Sequence, residues 1–137
     1  MTNLDLARSY FLKVEKRLKA LEVLFKEEDY SDVIREGQEI VELCAKGMLR
    51  MVGIEPPKYH DVSALMMEHR ARFAGIPLKD LKRIARISKT LRKERELAFY
   101  GDIDFIPTEE YRRSDAARVM KDTLWLLNVV RRLSATQ

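Results

Sequence analysis

The chain has few of the residues that build disulfide frameworks, metal sites or β-sandwiches. One cysteine excludes a disulfide framework and a cysteine-based zinc site. Five glycines and four prolines are too few for a β-sandwich, which needs a turn about every 8–12 residues. No apolar run reaches the roughly 18–20 residues of a membrane span, and the N-terminus has no signal-peptide layout. We expect one cytoplasmic domain over residues 1–137 that does not bind membranes.

Apolar and charged residues are both abundant, and the positive charge is concentrated in the middle of the chain. Hydrophobic residues make up 46% and charged residues 35% of the 137 residues, which is enough apolar material for a buried core. The net charge is −2 over residues 1–57, +6 over residues 58–100 and 0 over residues 101–137. The basic middle third is compatible with an anionic partner, and equally with a solvated helix surface.

Apolar residues recur three and four positions apart in five segments, which predicts helices. The predicted helices cover residues 4–25, 30–52, 61–73, 77–98 and 108–133. Asp29 or Ser31 is expected to cap the second, Gly53 to end it, and Thr108 to cap the fifth. The fold class is therefore all-α, an antiparallel up-and-down bundle of four long helices plus one short helix.

Two of the predicted helices carry unusual features. Gly37 lies inside the second helix, where it costs about 1 kcal/mol relative to alanine, so we expect a neighbouring backbone to approach it closely. The segment from Leu124 to Leu127, with Trp125 inside it, makes the fifth helix apolar all round. Wide apolar faces on the second and fifth helices exceed what one bundle is expected to hide, which favours a homodimer.

Signatures of catalysis and metal binding are scarce. The sequence has no glycine-rich phosphate loop, no nucleophile elbow, no metalloprotease histidine pair and no Glu-x-x-His motif. Cys44 falls on an apolar stripe and is interpreted as a small core residue. The methionines are interpreted as residues that fill gaps in the core. We expect no bound metal and no cofactor.

His60 is a candidate catalytic residue. It follows Pro56-Pro57-Lys58-Tyr59 and precedes Asp61 at the expected start of the short helix. Its structural interpretation is a hydrogen bond at that helix terminus. Its functional interpretation is a proton carrier or phosphate contact, because histidine titrates near neutrality.

A candidate anion-binding site lies at the end of the fourth helix. Arg95 is in phase with the apolar stripe and needs a carboxylate or phosphate partner, either Asp102 or Asp104 or an external anion. Together with Arg92 and Tyr100 it would place two guanidinium groups and a phenol near one helix end. Further basic residues of the same helix could steer anions towards this site: Lys82, Arg83 and Arg86.

Residues 38–50, 53–57 and 60–62 resemble the HEPN domain family of small helical-bundle proteins from bacteria and archaea. The family pattern has a helix reading roughly E-x-x-x-K-A-L-L, a loop with glycine and proline, and H-D-L opening the next helix. Glu42, Lys46, His60 and Asp61 occupy those places, with Val62 for the usual leucine. The resemblance extends over residues 5–133 and includes Pro107, Tyr111 and Ala116 or Ala117 in the last helix.

The resemblance implies a fold of antiparallel helices, a homodimer and one of two activities. Many members are metal-independent ribonucleases, often toxins of toxin–antitoxin pairs. Others are non-catalytic partners of small nucleotidyltransferases, or modules that bind nucleotides or RNA. We expect Glu42, Lys46, His60 and Asp61 to form a structural polar cluster that joins the second helix to the third.

The ribonuclease members carry an arginine followed by a histidine, with four to six residues between them. Histidine would take the proton of the 2′-hydroxyl, and arginine would stabilise the charge on the phosphorane. Neither His60 nor His69 has an arginine at that distance before it. The sequence therefore favours a non-catalytic dimer that binds a nucleotide, RNA or a partner nucleotidyltransferase. A ribonuclease with a rearranged site, for example His60 with Arg50 or Arg95, and a purely structural bundle are the alternatives.

Overall fold

A computed structural model describes residues 2–58 and 62–135, and the chain within these ranges is helical. Its one β-type pairing there is an isolated bridge between Asp102 and Phe105. None of the described helices is long and apolar enough to span a membrane. The elements are α1 (Asn3–Lys26), α2 (Tyr30–Met51), α3 (Val62–Glu68), a 3-10 turn (Arg70–Phe73), α4 (Leu78–Tyr100), α5 (Pro107–Glu110) and α6 (Arg113–Ala135).

Helices α1, α2 and α4 were predicted within two residues of their bounds, but the third and fifth predicted helices differ from the structure. The predicted third helix is divided, because α3 ends at Glu68 and a separate 3-10 turn follows. The predicted fifth helix is also divided: Tyr111 is extended, with φ −87° and ψ 131°, between α5 and α6. Thr108 is not the N-cap there, since Ile106 takes that position and Pro107 opens α5. The count of one short helix is therefore wrong.

The turn between α1 and α2 has the hydrogen bonds of a Schellman motif. The amide of Asp29 donates to the Leu24 carbonyl at 2.9 Å, and the amide of Glu28 donates to the Phe25 carbonyl at 3.0 Å. Glu28 adopts a positive φ of 60°, which is usually left to glycine. Asp29 is the N-cap of α2, but its side chain makes no capping hydrogen bond, and Ser31 is the second residue of the helix rather than its cap.

Helix α2 ends with a second Schellman motif. Gly53 adopts a φ of 81°, and the amide of Ile54 donates to the Leu49 carbonyl at 2.9 Å. The amide of Gly53 donates to the Arg50 carbonyl at 3.1 Å, which completes the pattern. The prediction that Gly53 ends this helix is confirmed.

Helix α2 is the centre of the molecule, and α1, α4 and α6 each pack against it. The start of α1 meets the end of α2, where Arg50 donates to Asn3 at 2.8 Å. The end of α1 meets the start of α2, where the rings of Phe25 and Tyr30 are 5.9 Å apart. Thirteen of the 22 residues of α2 are buried, including Cys44, whose burial raises its thiol pKa to about 12.

The wide apolar faces on α2 and α6 are covered within one chain, contrary to the reasoning that led to a homodimer. Leu126, Leu127, Val129 and Val130 are all buried, because α6 lies directly on the central helix. Trp125 is half-buried, and Leu124 alone in this segment is largely exposed. These faces therefore do not call for a second subunit.

Gly37 allows α6 to approach α2 closely. A Cβ atom at this position would collide with the Cγ1 atom of Val119 on α6. The approaching group is thus a side chain rather than the neighbouring backbone that the sequence led us to expect. The lower helix propensity of glycine inside α2 is offset by this tight packing of α6. The same packing positions Arg118 and Asp122, the charged residues of α6 near Val119.

Candidate ligand-binding groove

A groove with a volume of about 300 Å³ separates α4 from α6, and Ile34 of α2 contributes to its lining. Apolar side chains of all three helices contribute to its walls: Ile34, Ile87, Leu91 and Val119. Three arginines and three acids complete the lining, together with Thr90: Arg83, Arg86, Arg118, Glu94, Asp115 and Asp122. Such a combination of apolar walls and a few charged groups is typical of small-molecule sites.

Arg83 is held between the two helices at one end of the groove. Its guanidinium group lies 4.0 Å from the centroid of the Trp125 ring and 3.4 Å from a carboxylate oxygen of Asp122. Stacking on an indole together with a carboxylate contact restricts the orientation of the guanidinium plane. Arg83 therefore presents its donors from a fixed position.

The opposite end of the groove is acidic and partly buried. Arg118 forms an ion pair of 2.9 Å with Asp115 on α6. Burial raises the pKa of Glu94 above its ordinary value; the positive charge of Arg118 opposes this change and the negative charge of Asp115 adds to it. Burial, with the charges of Glu94 and Asp115, also raises the pKa of Tyr111 to about 12. This end can accept hydrogen bonds from a polar group of a ligand.

Arg86 differs from the other two groove arginines. Within residues 2–58 and 62–135 it has no carboxylate at ion-pair distance, whereas Arg83 and Arg118 each have one. Arg86 lines the groove and is exposed to solvent. An exposed guanidinium without an acidic partner is available to a phosphate, which it can bind through two parallel hydrogen bonds.

The predicted anion-steering residues divide between two surfaces. Arg83 and Arg86 line the groove, but Lys82 is exposed on α4 and is not among the lining residues. Lys82 and Lys89 are two helical turns apart on α4 and therefore share one face. Both are exposed, so this face points outwards. The structure thus brings together two of these three residues.

The other predicted anion-binding residues, Arg92, Arg95 and Tyr100, lie apart from the groove. Arg95 forms an ion pair of 2.9 Å with Glu39 on α2, rather than with Asp102 or Asp104. Arg92 lines a separate small cavity on the other side of α4, with a volume of about 30 Å³. Tyr100 is largely exposed and packs edge-on against Phe99, with ring centroids 4.9 Å apart. These three side chains therefore do not share one pocket.

Half of the predicted polar cluster lies within the described residues. Lys46 and Glu42 are one helical turn apart on α2 and form an ion pair of 3.1 Å, and Gln38 donates to Glu42 at 3.2 Å. Burial acts to raise the pKa of Glu42, but the hydrogen bond and charge of Lys46, helped by Gln38 and Arg95, lower it overall. His60 and Asp61 lie outside the described residues.

Sequence reasoning missed the α6 side of the groove. Asp115, Arg118 and Asp122 are spaced three and four apart, so they share one helix face beside buried Val119. A charged stripe next to an apolar one was the available signal, but its meaning depends on α4 lying opposite. No group of three metal-ligating side chains suited to an ion occurs in the described parts of the chain.

Comparison with protein families matches residues 7–133 to the HEPN domain. The chain belongs to the HEPN domain family. The match covers nearly the whole sequence, from the first buried residue of α1 to the last buried turn of α6, and so includes both walls of the groove. No curated protein and no solved structure matches the chain. The resemblance found in the sequence around Glu42 and Lys46 is therefore confirmed at the level of the family.

Proposed function

We propose that residues 1–137 form one non-catalytic HEPN domain that binds a nucleotide-sized phosphate ligand in the groove between α4 and α6. The observation that carries this proposal is the position of Arg86, an exposed arginine beside a cavity of about 300 Å³ that also contains Arg83 and Arg118. Ligand pockets typically have volumes of about 300–1,000 Å³. The groove is thus at the lower end of that range and suits one nucleotide.

The two ends of the groove favour different parts of such a ligand. Arg83 and Arg86 supply donors for phosphate, and the stacking of Arg83 on Trp125 lowers the entropy that binding would cost. Ile87, Leu91 and Val119 form the apolar floor of the groove between its two ends, where the base of such a ligand would lie. From Arg83 to Glu94 the helix rises over about 16 Å at ~1.5 Å per residue. This length accommodates a nucleoside with its phosphates.

Family membership supports further parts of the proposal. HEPN-like proteins are expected to form antiparallel up-and-down bundles, and the contacts of α2 with both ends of α1 support this order here. We also propose a homodimer, a cytoplasmic location and a toxin–antitoxin context with a small nucleotidyltransferase as partner. RNA is the alternative phosphate ligand, because its backbone presents the same chemistry to Arg83 and Arg86.

A metal-independent ribonuclease is the second candidate. The observation that favours it is the small cavity on the other side of α4, where Arg92 lies with Lys58 and Val62, the residues that flank positions 59–61. An arginine at such a cavity supplies the positive charge that stabilises a phosphorane. The test is RNA cleavage in EDTA by the wild-type chain and by His60→Ala at equal folded concentration. Cleavage that the variant loses would favour this candidate.

Isothermal titration calorimetry tests the binding function directly. Nucleoside mono-, di- and triphosphates and a short single-stranded RNA would each be titrated into the purified chain. We expect saturable binding of a nucleotide that weakens about tenfold in Arg86→Gln, since a hydrogen bond to a charged group contributes about 1.5–3 kcal/mol. Lys89→Gln removes the same charge from the outward face of α4 and should bind as the wild type does. A chain that binds none of these ligands would show that the proposal is wrong and would favour the structural alternative for this groove.

A further inference from the structure

The connection between α4 and α6 exposes several large apolar side chains. Ile103 is 90% exposed, Tyr100 73%, Phe99 49% and Ile106 48%. These four residues, which we call the apolar tip, lie within eight consecutive positions and account for half of the large apolar side chains exposed in the described ranges. Single exposed apolar residues are common, but several within one short segment indicate an interaction site.

The apolar tip is built on a tightly closed turn. Asp102 and Phe105 exchange two backbone hydrogen bonds of 2.9 Å, which leaves Ile103 and Asp104 at the apex. The carboxylate of Asp102 accepts from the Ile103 amide at 2.7 Å. Gly101 has a φ of 69°, and a Cβ atom there would collide with the carbonyl oxygen of Phe105. These contacts fix Ile103 outwards, so its exposure is a property of an ordered turn.

One aromatic ring of this connection is used for packing within the chain, which distinguishes it from the apolar tip. Phe105 packs edge-on against buried Tyr111, with ring centroids 5.6 Å apart. The turn therefore directs Phe105 towards the core and Ile103 towards solvent. The side chains of the apolar tip are therefore not needed to complete the core of the chain.

Exposed carboxylates lie between the residues of the apolar tip in the sequence and just after them. Four exposed acids lie in the same connection and in α5, and none forms an ion pair with a described residue: Asp102, Asp104, Glu109 and Glu110. The guanidinium group of Arg35 lies 4.5 Å from the centroid of the Phe99 ring and is engaged by Glu39 at 3.6 Å. This acidic rim repels phosphate backbones and attracts basic side chains.

We infer that the apolar tip docks a partner protein through an amphipathic segment with apolar side chains flanked by lysine or arginine. The apolar side chains would cover Ile103 and Tyr100, and the basic ones would pair with the acidic rim. This site is distinct from the arginine-lined groove, so the inference does not depend on the proposed nucleotide binding. Its acidic rim selects a basic polypeptide rather than a nucleic acid.

Two synthetic peptides test this inference on the full chain. Both are 18-residue amphipathic helices with the same leucine face, and they differ only in carrying lysine or glutamate on the polar face. Fluorescence anisotropy would measure their binding. We expect the lysine peptide to bind saturably and the glutamate peptide to bind at least about tenfold more weakly. Absence of binding by the lysine peptide, or equal binding of both, would overturn the inference.

Variants of the apolar tip locate the binding. Ile103→Ser should weaken binding of the lysine peptide about tenfold, because a buried isoleucine contributes about 1.5–3 kcal/mol. Since Ile103 is almost fully exposed, this variant should melt at the wild-type temperature. Leu124→Ser removes an exposed leucine from α6 and is the matched control, which should bind normally. Unchanged binding of the lysine peptide by Ile103→Ser would overturn the inference. So would sedimentation that finds the wild type dimeric and Ile103→Ser monomeric, because the apolar tip would then contact a second copy of the chain.

Discussion

The guanidinium group of Arg83 on α4 lies 4.0 Å from the ring centroid of Trp125 on α6. Together with the Arg83–Asp122 ion pair, this contact joins the two helices across the groove, and it involves the one tryptophan of the sequence. A cation over an indole contributes about 0.5–2 kcal/mol, depending on how far it is desolvated. The pair therefore both fixes a phosphate donor and places a fluorescent reporter beside the groove.

Leu127→Asp should unfold or strongly destabilise the chain. Leu127 is 2% exposed in the core, so the variant would lose apolar burial and place an unpaired carboxylate among apolar side chains. We expect a loss of more than about 3 kcal/mol in the free energy of unfolding, measured in urea. Leu124→Asp is the control: Leu124 is 48% exposed on the same helix, and its variant should stay within about 1 kcal/mol of the wild type. Similar losses for both would show that α6 is oriented differently.

Gly37→Ala should destabilise the chain despite the higher helix propensity of alanine. The added Cβ collides with the branched side chain of Val119, which has little rotamer freedom in a helix. Overpacking costs about 1–3 kcal/mol and propensity returns about 1 kcal/mol, so we expect a net loss of about 1 kcal/mol in urea unfolding. Gly75→Ala meets no atom within 4 Å and should be neutral. A stabilised Gly37→Ala would contradict the close packing of α2 and α6.

Glu28→Gly should stabilise the chain. Glu28 has a φ of 60° at the end of α1, where a side chain costs about 1–2 kcal/mol and glycine adopts the same conformation freely. Part of the gain is lost because glycine makes the unfolded chain more flexible, so we expect an increase of about 0.5–1 kcal/mol. Glu28→Gln removes the same charge but keeps the strained backbone. If thermal melting shows equal gains for both variants, the charge rather than the backbone conformation is responsible.

Protonation of Asp32 should make the chain more stable in mild acid. Burial raises the pKa of Asp32 to about 6 from an ordinary value of 3.8; a hydrogen bond with Asp29 and its charge add to this, and Arg35 opposes it. The folded state thus binds more protons than the unfolded state between these values, so this group's contribution to stability falls as the pH rises through about 6.

Asp32→Asn should therefore be more stable than the wild type at pH 7, by at most about 1 kcal/mol because the group is partly solvated. The advantage should shrink as the pH falls and disappear below about 4, where both states of the wild type are protonated. Urea unfolding from pH 4 to 7.5 measures the difference. Glu22→Gln, at an exposed position on α1, controls for the loss of one negative charge. A stability difference between Asp32→Asn and the wild type that does not change with pH would contradict the raised pKa.

Periodicity was enough to predict the four long helices, because each buries a regular stripe of apolar side chains. The break at Tyr111 was missed because this buried ring continues the apolar pattern of the helix that follows. Glu39 could not be recognised as the partner of Arg95, since 56 positions separate them and only the packing of α4 on α2 joins them. The groove escaped prediction for the same reason: it is defined by the distance between α4 and α6, which no local pattern encodes.

The fluorescence of Trp125 during titration with inorganic tripolyphosphate tests the binding groove most directly, since this ligand supplies phosphate without absorbing light. The wild type should show a saturable change in emission, because the ligand competes for the guanidinium that lies over the ring. Arg86→Gln should need about tenfold more ligand, and Lys89→Gln should match the wild type. No saturable change in the wild type, or an equal loss in both variants, would contradict a phosphate site between α4 and α6.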